Sequence, residues 1–572
     1  MVEEKEVLRR VRIVLLIGMM CGGMCLVTHA ADKPMVKAAK LAPATLTKVV
    51  LKRDALESPK GMVFFETTAL KARSDLIERI GTEQKMSLTP KVMGEEKLYQ
   101  EKSAGAEKPI TRMISMEKKG HLRVFPRLET MVKVKQVLLP KDQALKAAEK
   151  FIIAQKLLPS DGSVVEPKSM MTLSNTSVTA DGKSTTVDVL QTVVFQRSMD
   201  KKPVMGLGSQ LVVDLADRGN VVGLNRTWNA LKKSALKPEF RTDAEVYDAI
   251  DALIKERLPG AQKVSVEKPR LVYYGNDTKY VQPAYFFTAV ISGDNVENSY
   301  FAGIVAAAKN APEEVMPPIG DMSEKPAAAR LSPSASQKGA FKVPPDDPTV
   351  GRYVVREDSS HWVGDANDFK RGLTIGHPSG YPAITFGDYY WAQPYMWTSS
   401  ENNYVDKWNI TLMEGHGAHW LFTTRSNCCD TVNLNSSTQP GYGNVSGNSM
   451  RYLILKGCSI VPSPAERADW YAPWYRVFKG LRQAVGFRTT MYINDNISDN
   501  FGFYLALNCR VLDSWFAATN SSSSYAWNRF WGASVTGYGA VVMIPGHEGD
   551  GIYSVSAAPP ATSTGLTIWW QH

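Results

Sequence analysis

The chain has 572 residues, a formal net charge of +10 and 44% hydrophobic residues. That length exceeds one ordinary domain and provides for two or three cores. Six cysteines are too few for a disulfide scaffold, and lysines scattered through amphipathic segments read as a solvated surface, not as a nucleic-acid site.

Taken in order, the first segment reads as an export signal. Arg9, Arg10 and Arg12 precede an apolar stretch from Ile13 to Val27, which ends in Thr28-His29-Ala30 before Ala31. This is the pattern of a secretory signal cut near Ala30 (residues 1–30), too short and glycine-rich for a membrane span. The expected protein is secreted or periplasmic, without stable membrane insertion after signal removal.

Residues 31–130 are rich in Lys and Met and carry few period signals. Beyond them, residues 131–235 read as one α+β unit. Ala144, Leu145, Ala148, Phe151 and Ile152 recur at helical spacing, and VDVLQTVVF, LVVDL and VVGL read as strands, with a turn at Asp217 to Asn220. Residues 236–308 repeat that order. Thr242 and Glu245 form a capping box for a helix, and LVYYG and QPAYFFTAVI follow as strands. Gly206-Leu207-Gly208 precedes no helix and is no nucleotide loop. Eight prolines between Pro312 and Pro348 make residues 309–348 an exposed linker.

Composition changes at that linker. From Lys342 onward there are 16 basic and 18 acidic residues, so the basic excess lies upstream. Only Trp228 precedes that point, and the other twelve tryptophans follow it. The split predicts two bodies, one Lys-rich and one near-neutral and aromatic.

Residues 349–572 carry the chemistry. WNITLMEGHG ends an apolar run at His416-Gly417, and MRYLILKGCS ends another at Cys458-Ser459, 42 positions later. Apolar runs closed by Gly read as buried parallel strands, whose carboxyl ends form ligand crevices in open α/β sheets. A base and a thiol at two such ends are the parts of a cysteine nucleophile. Ser463-Pro464-Ala465-Glu466 reads as a capping box, so a helix is expected just past Cys458, and its positive end would favour thiolate. RTTMYI reads as a strand and DNFGFYLALNCRVLDSWFAAT as one amphipathic helix. Glu414 shares a face with His416 only if its strand continues that far. His419 falls beyond the Gly, in a loop.

These two blocks resemble the caspase-like cysteine peptidases, and a bacterial domain family of uncharacterised function, DUF6345, with a similar aspartate, GHG and later Cys. The resemblance covers roughly residues 350 to 560. It implies an α/β fold, a caspase-like αβα sandwich with a mostly parallel sheet. It also implies Cys458 as nucleophile, His416 as general base, and the backbone N–H groups of Gly417 and Cys458 as the oxyanion site. Asp406 is a possible orienting acid. The upstream units, through PVMGLGSQLVVDLADRGNVVGL and RLVYYGNDTKYVQPAYFF, resemble peptidase propeptide domains of the PepSY and FTP type.

No cofactor is implied. Cys428-Cys429 with Asp430 lacks a second pair at zinc spacing, and His547-Glu548 lacks HExxH spacing and reads as a turn, so no metal site is expected. Cys428 or Cys429 pairing with Cys509, or all remaining thiols reduced, stay open. The leading expectation is an exported cysteine endopeptidase precursor acting on protein or peptide, with the upstream half as intramolecular aid or inhibitor. The alternative is a secreted binding module on the same scaffold, suggested by the tryptophans and by Asn- and Ser-rich loops such as Asn433 to Ser437.

Overall fold

In a computed structural model the described residues are 48–572, except 69, 71–73, 84–90, 94–95, 101–112, 117–120, 207–208, 259–262, 276–278, 294–295, 316–347, 355–359, 378–380, 391, 425–430, 444–449, 494–496, 521–536 and 554–563. The proposed signal segment, most of the linker, Leu207-Gly208 and the Cys428-Cys429 pair lie outside them.

Helix α1 (Lys141–Ala154) buries Ala144, Ala148 and Ile152, part of the stripe that the periodicity predicts. It lies on a long hairpin of β1 (Val164–Thr179) and β2 (Ser184–Met199), continued by β3 (Leu211–Leu215) and β4 (Val221–Arg226), all antiparallel. Leu211, Val213 and Leu215 share a core with the α1 stripe and Trp228. The turn before β4 is tight, with Arg218 at φ +53°.

The second unit repeats the theme. Helix α2 (Asp243–Arg257) begins with the expected capping box: the Glu245 amide donates to the Thr242 hydroxyl, and the Thr242 amide donates to the Glu245 carboxylate at 2.8 Å. Its buried Val246, Tyr247, Ile250 and Ile254 pack on a separate sheet. That sheet holds β5 (Lys263–Val266) and β6 (Arg270–Tyr274), both on one edge of β7 (Tyr280–Gly293), with β8 (Val296–Ala306) on the other edge.

Downstream come β9 (Thr349–Val354), α3 (Ser360–Ile375), β10 (Thr385–Tyr390), β11 (Ile410–Glu414), β12 (Tyr452–Lys456), β13 (Gln483–Phe487), β14 (Tyr492–Ile493), α4 (Ile497–Ala506), α5 (Val511–Asn520), β15 (Gly539–Met543) and β16 (Gly565–Gln571). Strands β10, β9, β11, β12 and β13 are parallel neighbours in that order; β15 pairs antiparallel with β13, and β16 antiparallel with β15. All five residues of β11, β12 and β13 are buried, as strands covered on both faces require.

The two faces are covered differently. Helices α3, α4 and α5 bury Trp362, Phe369, Phe501, Leu505, Leu512 and Trp515 on one side. On the other, Trp397, Trp470 and Trp474 come from 3-10 turns, loops and a four-residue helix (Trp474–Val477). Among the described residues this face has no second layer of full helices, so the architecture is an α/β mixed sheet with a helical layer on one side. The single helix expected over 499–519 is two. Asn508 adopts φ +61°, and the Cys509 and Asn508 amides donate to the Tyr504 and Leu505 carbonyls, a Schellman ending that breaks the run.

The composition change near residue 340 does not coincide with a gap between cores. Strand β16 pairs antiparallel with β1 over seven residues, Gly565↔Thr179 through Gln571↔Leu173. One sheet therefore runs from the parallel strands into the upstream unit. Strand β14 likewise adds parallel to β8, with Tyr492 opposite Tyr300 and Ile493 opposite Phe301. Phe125, Leu173, Val189 and Phe286 from upstream share a core with Phe487, Phe516 and Trp569.

Candidate functional site

Two neighbouring strands define the site. In the parallel pair β11 and β12, Glu414 lies opposite Lys456, at the usual interstrand spacing of about 5 Å. Two residues past each lie His416 and Cys458, both half-buried, at the carboxyl edge of the sheet. The backbones beyond the strands stay together. The Gly415 amide donates to the Lys456 carbonyl at 3.2 Å, and the Trp420 amide to the Ile460 carbonyl at 3.1 Å. Gly417 sits so close that a Cβ there would lie 2.7 Å from the Cys458 carbonyl oxygen and inside the Ile460 side chain.

The thiol has backbone for company. The Met491 amide donates to Cys458 Sγ at 3.5 Å, and the sulfur lies 3.6 Å from the Met491 carbonyl oxygen. The N–H directed at sulfur favours the thiolate, while the carbonyl, accepting from the S–H, favours the thiol. Ser459 follows in the left-handed region at φ +54°, with its amide on the Thr489 carbonyl at 3.0 Å. The imidazole of His416 has Trp362 edge-on, ring centroids 5.5 Å apart at 77°. Trp362 is itself buried, on the first turn of α3.

The helix expected just past Cys458 is absent. Ser463 and Glu466 make the local contacts of a capping box, the Ser463 amide donating to Glu466 at 2.9 Å. Yet residues 462–473 form turns, and the next helix starts at Trp474. Glu466 is instead drawn to buried Arg488, whose guanidinium also donates to the Gln571 carbonyl at 2.8 Å. No helix dipole acts on the thiol from that side; the Met491 amide is the donor that the structure supplies.

Asp406 is not an orienting acid for His416. It precedes β11, so a five-residue strand, about 16 Å long, separates it from the imidazole. Fully buried, it accepts from the Gly443 amide at 2.7 Å and the Met450 amide at 3.1 Å, tying down the loop before β12. His419 is partly buried beside Trp420, and desolvation lowers its pKa. His547 pairs with Asp550 at 2.7 Å inside the turn read from the sequence. Cys509 is a buried, unbridged thiol, and burial pushes its pKa strongly upward.

Charged residues beneath the pair were not singled out from sequence, Glu414 apart. Lys456, 1% exposed, donates to Asp365 on α3 at 2.8 Å and to the Ser498 hydroxyl on α4 at 2.7 Å. Ser498 lies 3.5 Å from Glu414, which is fully buried. Helices α3 and α4 reach this depth because they touch at glycine. A Cβ at Gly372 would strike the Asp499 carbonyl, and one at Gly502 the Phe369 carbonyl. The sequence signal was present: each apolar run ends charge-Gly-reactive residue, Glu414-Gly415-His416 and Lys456-Gly457-Cys458.

Among the described residues no group of three or more His, Cys, Asp or Glu is placed to hold a metal ion. Nor is any helix long and apolar enough to cross a membrane. The described C-terminal tryptophans are largely interior. Trp397, Trp474 and Trp569 are fully buried, so they form core, not a binding face.

Residues 387–539 match the family model of a domain of unknown function, DUF6345. That span contains Glu414, His416, Lys456 and Cys458 but neither Trp362 nor Asp365. No curated protein matches. Among solved structures, the chain is similar to an uncharacterized protein from Eubacterium rectale ATCC 33656. Identity is 12%, with 45% of this chain and 85% of that one covered, and the TM-score is 0.28. A score that low carries no argument.

Proposed function

We propose that residues 349–572 act as a cysteine hydrolase of the caspase-like peptidase type, with Cys458 as nucleophile and His416 as general base. One observation carries the reading: two in-register parallel strands release a histidine and a cysteine at the same edge of the sheet. In this scheme His416 takes the thiol proton and returns it to the leaving amine. The N–H groups of Gly417 and Cys458 receive the developing oxyanion, and Gly417 brings substrate backbone close. The substrate is a protein or peptide, and the protein is exported, on the strength of residues 1–30. The upstream units act as propeptide-type domains, an intramolecular partner supported by their place in the shared sheet.

A peptide acyloxymethyl ketone, which alkylates an activated peptidase thiol, tests this. Wild type should be labelled at Cys458, and Cys458→Ala and His416→Ala should not. Equal labelling of wild type and His416→Ala would reject the dyad.

A further inference from the structure

We propose that the buried pair Glu414 and Lys456 sets the charge state of the His416 and Cys458 dyad, each as a positioning residue acting on the reactive side chain two places beyond it. The inference rests on the dyad reading above and assigns residues that reading does not need.

Glu414 and Lys456 are the last residues of β11 and β12, and His416 and Cys458 lie two residues past those ends, at the same edge of the sheet. Cys458 and Trp362, the neighbour of His416, belong to the same helical side of the sheet, where Lys456 meets Asp365 and Ser498. The carboxyl stands two residues before the group that must become cationic, and the ammonium two residues before the group that must become anionic. The arrangement favours the imidazolium–thiolate form over the neutral form.

Stability alone does not explain these charges. Buried ion pairs are often no better than apolar packing of the same volume, because desolvation offsets the attraction. Glu414 and Lys456 stand in a sheet whose neighbouring positions are Val354, Leu412 and Ile454, all apolar and buried. Burial also weakens screening of these charges by salt.

Other charges facing the pair come from α3 and α4. Asp365 binds Lys456 directly and moderates it. Asp368 is pushed up to about 7, chiefly by burial, despite Arg371 at 2.8 Å, with Asp365 and Asp499 adding to the rise. It is therefore partly neutral near pH 7 and cancels little of the Lys456 field. Asp499 and Arg371 pair with each other at 3.0 Å towards the surface.

The test follows the two protonation midpoints of the dyad in the full chain. The lower, at which the thiol ionises, is read as the pH dependence of Cys458 alkylation by iodoacetamide, with the site identified by peptide mass spectrometry. The upper, at which the imidazolium loses its proton, is read from the His416 carbon resonance. Wild type should show a lower midpoint below the ordinary thiol value of about 8.5. Lys456→Met should raise it by about one pH unit, the scale of a charge two residues away at intermediate dielectric. Asp365→Asn should lower it, because Lys456 then acts unmoderated. Glu414→Gln should lower the upper midpoint.

A purely packing role does not move the two midpoints in opposite directions. Folded Lys456→Met and Glu414→Gln variants with wild-type midpoints would overturn the proposal. Should both fail to fold, Asp365→Asn with an unchanged or raised lower midpoint, or a wild-type midpoint at or above 8.5, does the same. His416→Ala separates the two levels. If it leaves the Cys458 profile unchanged, the dyad itself fails; if it shifts the profile while the charge variants do not, only this proposal fails.

Discussion

The Met491 amide points at the Cys458 sulfur from 3.5 Å, and the two residues after Met491 hydrogen-bond to the upstream strand β8. One short segment thus clasps the candidate nucleophile and joins the second upstream unit. Together with the seven-residue pairing of β16 on β1, this ties the upstream half to the segment that contacts the thiol. Its backbone has as much claim to the position of Met491 as the downstream domain has.

A specific protease site engineered within residues 316–347 should therefore give two bands on a denaturing gel but one species on size exclusion. Separation would expose Phe125, Leu173, Val189 and Phe286, which share a core with Trp569. Apolar burial of that extent is worth about 25 cal/mol per Å². Fragments that elute apart without denaturant would show that the shared sheet does not hold, and would favour release of the upstream half on cleavage.

The dyad variants should separate chemistry from stability. Cys458→Ala and His416→Ala are each expected to lower peptide hydrolysis by at least about 100-fold, the scale of one general base. Unfolding free energy should change by no more than about 1 kcal/mol, since both side chains are half-buried. The double variant should be no worse than either single one, because groups acting as a unit are not additive. Full turnover by Cys458→Ala would end the nucleophile assignment.

Local signals in the chain translated well. The Thr242 and Glu245 capping box is formed, Ala144, Ala148 and Ile152 of the α1 stripe are buried, and the two Gly-closed apolar runs are adjacent parallel strands. Contacts far apart in sequence did not. Glu466 satisfies its local box but pairs with Arg488, 22 residues on, and no helix follows. Asp406 is ten residues from His416 in sequence, yet the intervening strand carries it to the opposite edge. The pairing of β16 with β1 spans nearly 400 positions, and no periodicity within either segment encodes it. Glu414 and Lys456 stood in plain view, but their meaning depends on register between strands.

Stability should carry the mark of Asp214, a buried carboxyl raised to about 6 by desolvation although the Thr192 hydroxyl donates to it at 2.7 Å. The ordinary value for an aspartate carboxyl, taken for the unfolded chain, is 3.8. Between those two values the folded protein binds the extra proton, so stability falls as pH rises from about 4 to 6. Above 6 the buried charge costs about 3 kcal/mol. Asp214→Asn removes that cost while keeping an acceptor for Thr192. In urea titrations the variant should match wild type near pH 4 and exceed it by about 2–3 kcal/mol at pH 7. Parallel pH profiles for the two proteins would show that Asp214 ionises freely.

Gly417 offers the sharpest structural test of the site, because its neighbours are backbone on one side and a packed branched side chain on the other. A Cβ at 417 would lie 2.7 Å from the Cys458 carbonyl oxygen and overlap Ile460. The carbonyl belongs to the loop held by Ser459 on Thr489 and by Val461 on Phe487, so it has little freedom to retreat. Gly417→Ala should therefore push the His416 loop away from the Cys458 loop. Overpacking of this kind costs about 1–3 kcal/mol. If the two loops form one site, Cys458 alkylation near neutral pH should slow by more than the loss of stability explains. Restoring room with Gly417→Ala/Ile460→Val should recover part of both. A Gly417→Ala protein with wild-type stability and wild-type thiol reactivity would mean that the two loops do not approach as closely as the strand register requires.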